Sequence, residues 1–128
     1  MAIAAGRTIP FVGPEAIDVA VLETFPYSGP EQQIVTTTDE FSAVCPYSGL
    51  PDTATLTLEY VPSDCCVELK SLKYYLVSYR NVGIFQEHAT ARFAEDLQGV
   101  LKARRLSVTT VYNVRGGFRT TCTVALPK

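Results

Sequence analysis

The hydrophobic period of this chain changes twice, and each change marks a change of secondary structure. Residues 53–61, TATLTLEYV, put Leu56, Leu58 and Tyr60 on one side and Thr55, Thr57 and Glu59 on the other. That is the period-2 pattern of a strand with one face in water. From Val67 the period becomes helical: Leu69, Leu72, Leu76 and Tyr79 fall on one stripe, which predicts an amphipathic helix over 67–79. Gly83 interrupts the stripe, and Phe93, Leu97, Val100 and Leu101 predict a second helix over 87–103. The β-branched period then returns in LSVTTVYNV and FRTTCTVAL, separated by Arg115-Gly116-Gly117, which reads as a hairpin. Upstream, IDVAVLETF at 17–25 and EQQIVTTT at 31–38 are two more strand-like runs. Strands, then two helices, then two strands predict an α+β domain with the helices on one face of an antiparallel sheet. The edges of so small a sheet need cover, and oligomerisation is a common way to supply it.

With 128 residues the chain is expected to form one domain, 1–128, burying about two thirds of its unfolded surface. Residues 1–16 are expected to be a loose N-terminal arm. A net charge of −2 offers no general attraction for nucleic acid, so an anionic ligand must be held by a local basic cluster. No stretch approaches the ~18 apolar residues of a membrane span. The opening MAIAAGR has its arginine after a short apolar run, unlike a signal peptide. These features predict a cytoplasmic protein with reduced thiols at Cys45, Cys65, Cys66 and Cys122. Two of those cysteines are adjacent and His88 is the only histidine, so no metal site is expected.

The chemistry concentrates in Cys45-Pro46-Tyr47-Ser48-Gly49-Leu50-Pro51-Asp52, which puts a thiol and a carboxylate at the two ends of a tight loop. A restrained cysteine near an acid can serve as a nucleophile with a proton donor beside it. The same residues also suit a buried small side chain and a turn-bracing aspartate. In Glu68-Leu69-Lys70-Ser71-Leu72-Lys73, Lys70 and Lys73 share a helix face that suits a phosphate-bearing ligand, or simply water. Glu87, in Phe85-Gln86-Glu87-His88, is either a first-turn acid favoured by the helix dipole or an acceptor for the N–H edge of a purine-like ring.

Together, VLETFP at 21–26, FSAVCPYSGLPD at 41–52, VELKSLKYYLVSYRN at 67–81, FQE at 85–87 and RGG at 115–117 resemble the NADPH-dependent 7-cyano-7-deazaguanine reductases, the QueF family of queuosine biosynthesis. The resemblance implies a tunnelling fold (T-fold), an antiparallel four-stranded sheet with two helices on one face, whose subunits assemble into rings, such as two stacked pentamers, with active sites at subunit interfaces. It implies that Cys45 is the nucleophile and Asp52 the proton donor. Val67, Glu68, Leu69, Gln86 and Glu87 would contact a small-molecule 7-deazapurine nitrile. Lys70, Ser71 and Lys73 would contact NADPH, with Arg115 and Gly116 of a neighbouring subunit. The implied reaction adds the Cys45 thiolate to the nitrile, and the resulting thioimide is reduced to the primary amine. One departure stands out. Family members carry His immediately before the anchoring glutamate, where this chain has Gln86, and His88 follows instead.

Two rival readings share these residues. One is the related amidinotransferases, which join ammonia to a nitrile-bearing base in tRNA. They lack the lysine-rich motif that this chain has at 68–73. The other is a non-catalytic purine- or pterin-binding ring in which Cys45 is structural.

Overall fold

A computed structural model describes residues 3–128. In chain order its elements are β1 (Thr24–Pro26), β2 (Ile34–Val44), β3 (Pro51–Val61), β4 (Cys65–Val67), α1 (Leu69–Val77), α2 (Gln86–Leu101), β5 (Arg105–Tyr112) and β6 (Thr121–Leu126). The main sheet has four antiparallel strands in the order β2-β3-β5-β6, and β1 pairs with β4 in a separate two-stranded ribbon. The α+β class, the antiparallel sheet and the final hairpin therefore follow the sequence pattern, and four strands, as the resemblance implies, make up the main sheet.

Parity along β3 organises the core. Asp52, Ala54, Leu56, Leu58 and Tyr60 face inward and are buried, while the intervening Thr55, Thr57 and Glu59 are half-exposed and Thr53 is open. Register carries the alternation to β5, where Leu106, Val108, Thr110 and Tyr112 are buried. Leu72 and Tyr75 of α1 and Phe93 and Leu97 of α2 join these rows in one core. Both helices thus cover the same face. The other face carries threonines, with Thr37 bonded to Thr57 and Thr109 to Thr123. Phe41, Tyr75, Tyr79 and Phe93 meet edge-on or tilted, with Tyr75 donating to Asp96 at 2.7 Å. Burial and this network of phenols and carboxylate push the Tyr75 hydroxyl's pKa up.

Several elements depart from the sequence expectation. Residues 17–25 do not form a strand: a 3₁₀ turn at Val19–Val21 precedes the three-residue β1. The reason is competition from α1. Ser78 accepts from the Asp18 N–H and Ser71 from the Glu23 N–H, tying this segment to the helix and away from the main sheet. The first helix starts at Leu69, because 65–67 is committed to β4. Leu69, expected in the core, is 58% exposed, and the inward stripe runs through Ser71, Leu72 and Tyr75. Tyr79 is buried but lies beyond the helix end. β2 runs over Ile34–Val44, starting later and ending later than the run expected at 31–38, with a register shift between Thr38 and Phe41. The segment expected as an arm is hydrogen-bonded from Ile9 onward: Ile9 N–H donates to Ser48 and Val12 N–H to Asn81. Among the described residues no helix is long and apolar enough to cross a membrane, and all four cysteines are unpaired.

Candidate active site

The loop carrying Cys45 is a single tight turn. Cys45 N–H donates to Leu50 at 2.9 Å, and Gly49 N–H returns to the Cys45 carbonyl at 2.8 Å. Gly49 has φ +73°, and a Cβ there would stand 2.1 Å from the Ile9 carbonyl oxygen. Only glycine combines that backbone with that approach. The turn keeps Tyr47 and Ser48 beside the sulfur. Their hydrogen bonds, that of Tyr47 first, lower the Cys45 pKa below that of an ordinary thiol, against desolvation and the negative charge of Asp52. The activating influence is therefore backbone N–H rather than a neighbouring cation.

Asp52 begins the inward row of β3 and is 6% exposed, a carboxylate where the alternation calls for an apolar side chain. The Arg115 guanidinium pairs with it. Arg115 stands on the turn joining β5 to β6, where Arg115 and Phe118 exchange backbone hydrogen bonds around Gly116 and Gly117. Both glycines have positive φ, as a two-residue hairpin turn of this kind requires.

The third contribution comes from the start of α2. Val44 N–H donates to Val82 and Ile84 N–H to Val44, which docks the pre-helix segment beside the cysteine loop. The Gln86 carbonyl accepts from Thr90 at 2.9 Å, and Thr90 in turn meets Thr110 of β5 at 2.6 Å. The first turn of α2 is thereby fixed to the sheet. Tyr47 stacks edge-on against Phe85, with ring centroids 5.5 Å apart. His88 is exposed and meets Phe85 edge-on, with ring centroids 6.2 Å apart.

These segments enclose a pocket of about 470 Å³ lined by Cys45, Pro46, Asp52, Phe85, Gln86, Glu87, Arg115 and Gly116. A volume in the range of about 300–1,000 Å³ suits a small heterocycle. Six of the residues singled out from the sequence meet here within one chain. The sequence reading did not identify Phe85 and Pro46 as site residues. Nor could it foresee the Arg115–Asp52 pair, which spans 63 positions with no pattern to announce it.

The remaining expected residues lie elsewhere. Leu69 and Lys73 border a second cavity, a groove of about 370 Å³ between α1 and β2. Leu56, Leu58, Leu72, Leu76 and Phe93 contribute apolar lining, with Arg80 and Glu40 among its charged residues. Arg80 lies on the turn after α1 and is not among the expected site residues. Glu68 caps α1, accepting from Lys70 N–H at 2.9 Å and Ser71 N–H at 2.7 Å, and these bonds lower its pKa. The Ser71 hydroxyl accepts from Glu23 N–H and donates to the Glu68 carbonyl at 2.7 Å. Val67 is buried in β4, with its N–H on the Tyr60 hydroxyl. Lys70 is exposed on α1. Val67, Glu68, Lys70 and Ser71 line neither cavity.

A family model described as QueF-like protein matches residues 51–128. The chain is 54% identical over 119 residues to a Thermotoga maritima protein named NADPH-dependent 7-cyano-7-deazaguanine reductase, covering 92% of this chain and 87% of the relative. The chain belongs to the QueF family. A Caldicellulosiruptor bescii protein of the same name is 52% identical over 116 residues, covering 89% of this chain and 88% of that relative. In fold, this QueF-family chain is similar to the crystal structure of the archaeosine synthase QueF-Like in the apo form. The TM-score is 0.66 at 20% identity, over 77% of this chain and 95% of the other.

Proposed function

We propose that this protein is an NADPH-dependent nitrile reductase that converts 7-cyano-7-deazaguanine to 7-aminomethyl-7-deazaguanine for queuosine, a tRNA modification. The observation that carries the reading is the Cys45 thiol, a buried carboxylate and Glu87 lining one pocket, in a chain 54% identical to reductases of that name. The protein is a cytoplasmic oxidoreductase that acts on the free base rather than on nucleic acid.

In this reading the Cys45 sulfur bonds to the nitrile carbon and gives a covalent thioimide, with Asp52 delivering a proton to nitrogen. The three N–H and O–H groups around the sulfur favour the attacking thiolate. Glu87 accepts from the N–H edge of the deazapurine, and Gln86 adds a neutral hydrogen-bonding group where the family has histidine. Phe85 and Pro46 supply flat apolar surface against the ring. NADPH, when bound, supplies hydride for both reductions.

The chain's own residues fit such a dinucleotide. Lys70 and Lys73 are exposed cations on α1, and the adjacent groove joins an apolar lining to Arg80. Those lysines hold phosphate, while Ser71 acts by fixing the first turn of the helix, since its hydroxyl is already engaged. Residues 67–73 stand apart from the cysteine pocket. A tunnelling-fold ring, with the start of α1 from one subunit facing the pocket of the next, would bring Val67, Glu68 and Leu69 to the substrate.

The test is to incubate the protein with the free nitrile base and NADPH, following cofactor absorbance and product mass. Reduction predicts two NADPH consumed per primary amine formed. A covalent adduct with no cofactor oxidation would favour the amidinotransferase, and neither adduct nor oxidation would leave a binding protein.

A further inference from the structure

Asp52 is a buried charge whose cation comes from the most exposed part of the site. The Arg115 side chain is 44% open to solvent and that of Asp52 8%. Flanking Arg115 on the hairpin, Val114 and Phe118 are exposed as well. The titratable and charged groups around Asp52 are Cys45 from the loop, Glu87 from α2, Tyr112 from β5 and Arg115 from the hairpin. Among them Arg115 is the only cation. Without it, two carboxylates would share a small pocket with a thiol and no compensating charge, an arrangement that drives one carboxylate to take up a proton.

We propose that Arg115 is a positioning residue for Asp52, holding the carboxylate charged and fixed beside the Cys45 sulfur while the pocket is free of substrate. The inference takes its catalytic meaning from the nitrile chemistry proposed above, but the ion pair itself does not depend on it. With Arg115 in place, Asp52 enters the reaction as a proton acceptor and only then acts as a donor. The Cys45 thiol gives its proton to Asp52, and the sulfur forms its bond to carbon as one π bond of the nitrile breaks. Asp52 then returns the proton to nitrogen. The carboxylate is regenerated, the thiol hydrogen ends on the imine nitrogen, and nothing is oxidised or reduced. The role also differs from the cofactor contact that the family resemblance assigns to Arg115, because it operates before any cofactor is needed.

The experiment compares parent, Arg115→Gln and Arg115→Lys proteins without NADPH, measuring the rate of the Cys45 adduct against pH. Arg115→Gln is expected to move the acid limb of that profile upward by about one unit, a roughly tenfold loss on that limb. Arg115→Lys should restore most of it, and in an Asp52→Asn background Arg115→Gln should cost nothing further. Unchanged pH profiles, with only the KM for NADPH raised, would overturn the inference and leave Arg115 a cofactor contact. Difference infrared spectroscopy of the carboxyl band, assigned with Asp52→Asn, reads the pair in ligand-free protein. Arg115→Gln should increase protonated Asp52 at mildly acid pH, and no increase would overturn the inference. If the parent forms no adduct, the proposed function fails, and the infrared result still decides the link between the two residues.

Discussion

The pocket at Cys45 gathers polar groups from three separated segments: the 45–50 turn with the start of β3, the first turn of α2 and the β5–β6 hairpin. The groove beside α1 is lined by that helix and by β2, with Leu56 and Leu58 of β3 and Phe93 of α2 at its base, is largely apolar, and contains no thiol. Yet the residues expected to serve one reaction are divided between these regions and the α1 start. The thiol and both carboxylates line one pocket of the chain, whereas the lysines expected at the cofactor stand on a separate surface. The difference teaches that, under the proposed function, bond formation to the nitrile and hydride delivery rest on residues of separate surfaces, which a second copy would bring together.

Substitutions can break that division. The largest effect is expected from Cys45→Ala, which should abolish both the adduct and NADPH oxidation; turnover that survived would remove the sulfur from the mechanism. Asp52→Asn comes next. It should still bind the base but lose about 10²–10⁴-fold in the rate of adduct formation, the usual contribution of a positioned acid–base group. Rapid-mixing mass spectrometry checks it.

Lys70→Ala with Lys73→Ala should have the opposite signature. The adduct should form at the parental rate, while the KM for NADPH rises about tenfold or more, as expected for lost charge-assisted hydrogen bonds. The gap from the parent should narrow as salt is added. An adduct rate that fell with the KM effect would show that the two regions are not separable. The smallest effect belongs to Ser48→Ala. One of three donors to the sulfur is removed, so the midpoint of Cys45 alkylation against pH should rise by a fraction of a unit. The parental midpoint should lie below that of an ordinary thiol, near 8.5. At a fixed pH below its midpoint the variant should therefore react more slowly.

Much of this was legible where one physical rule acts alone. Strict alternation in 53–61 fixed which side of β3 is buried, and the same parity turns Asp52 inward. The carboxylate's burial was thus written in the pattern before its partner was known. Arg115-Gly116-Gly117 announced a turn needing positive φ, and the turn is there. Legibility failed where the outcome depends on a distant competitor. Residues 17–25 alternate well enough for a strand, but the hydroxyls of Ser71 and Ser78 take their N–H groups. Leu69 fits a helical stripe, but Glu68 caps the helix at a point that turns Leu69 outward. The guanidinium that reaches Asp52 comes from a loop whose sequence records only its own shape.

The most direct measurement is the mass of the ligand-free protein mixed with 7-cyano-7-deazaguanine without NADPH, followed by peptide mapping. The account predicts a gain of one whole nitrile molecule per chain, with no atoms lost, located on the peptide containing Cys45 and absent in Cys45→Ala. An unchanged mass, or a gain located on Cys65, Cys66 or Cys122 instead, would contradict it.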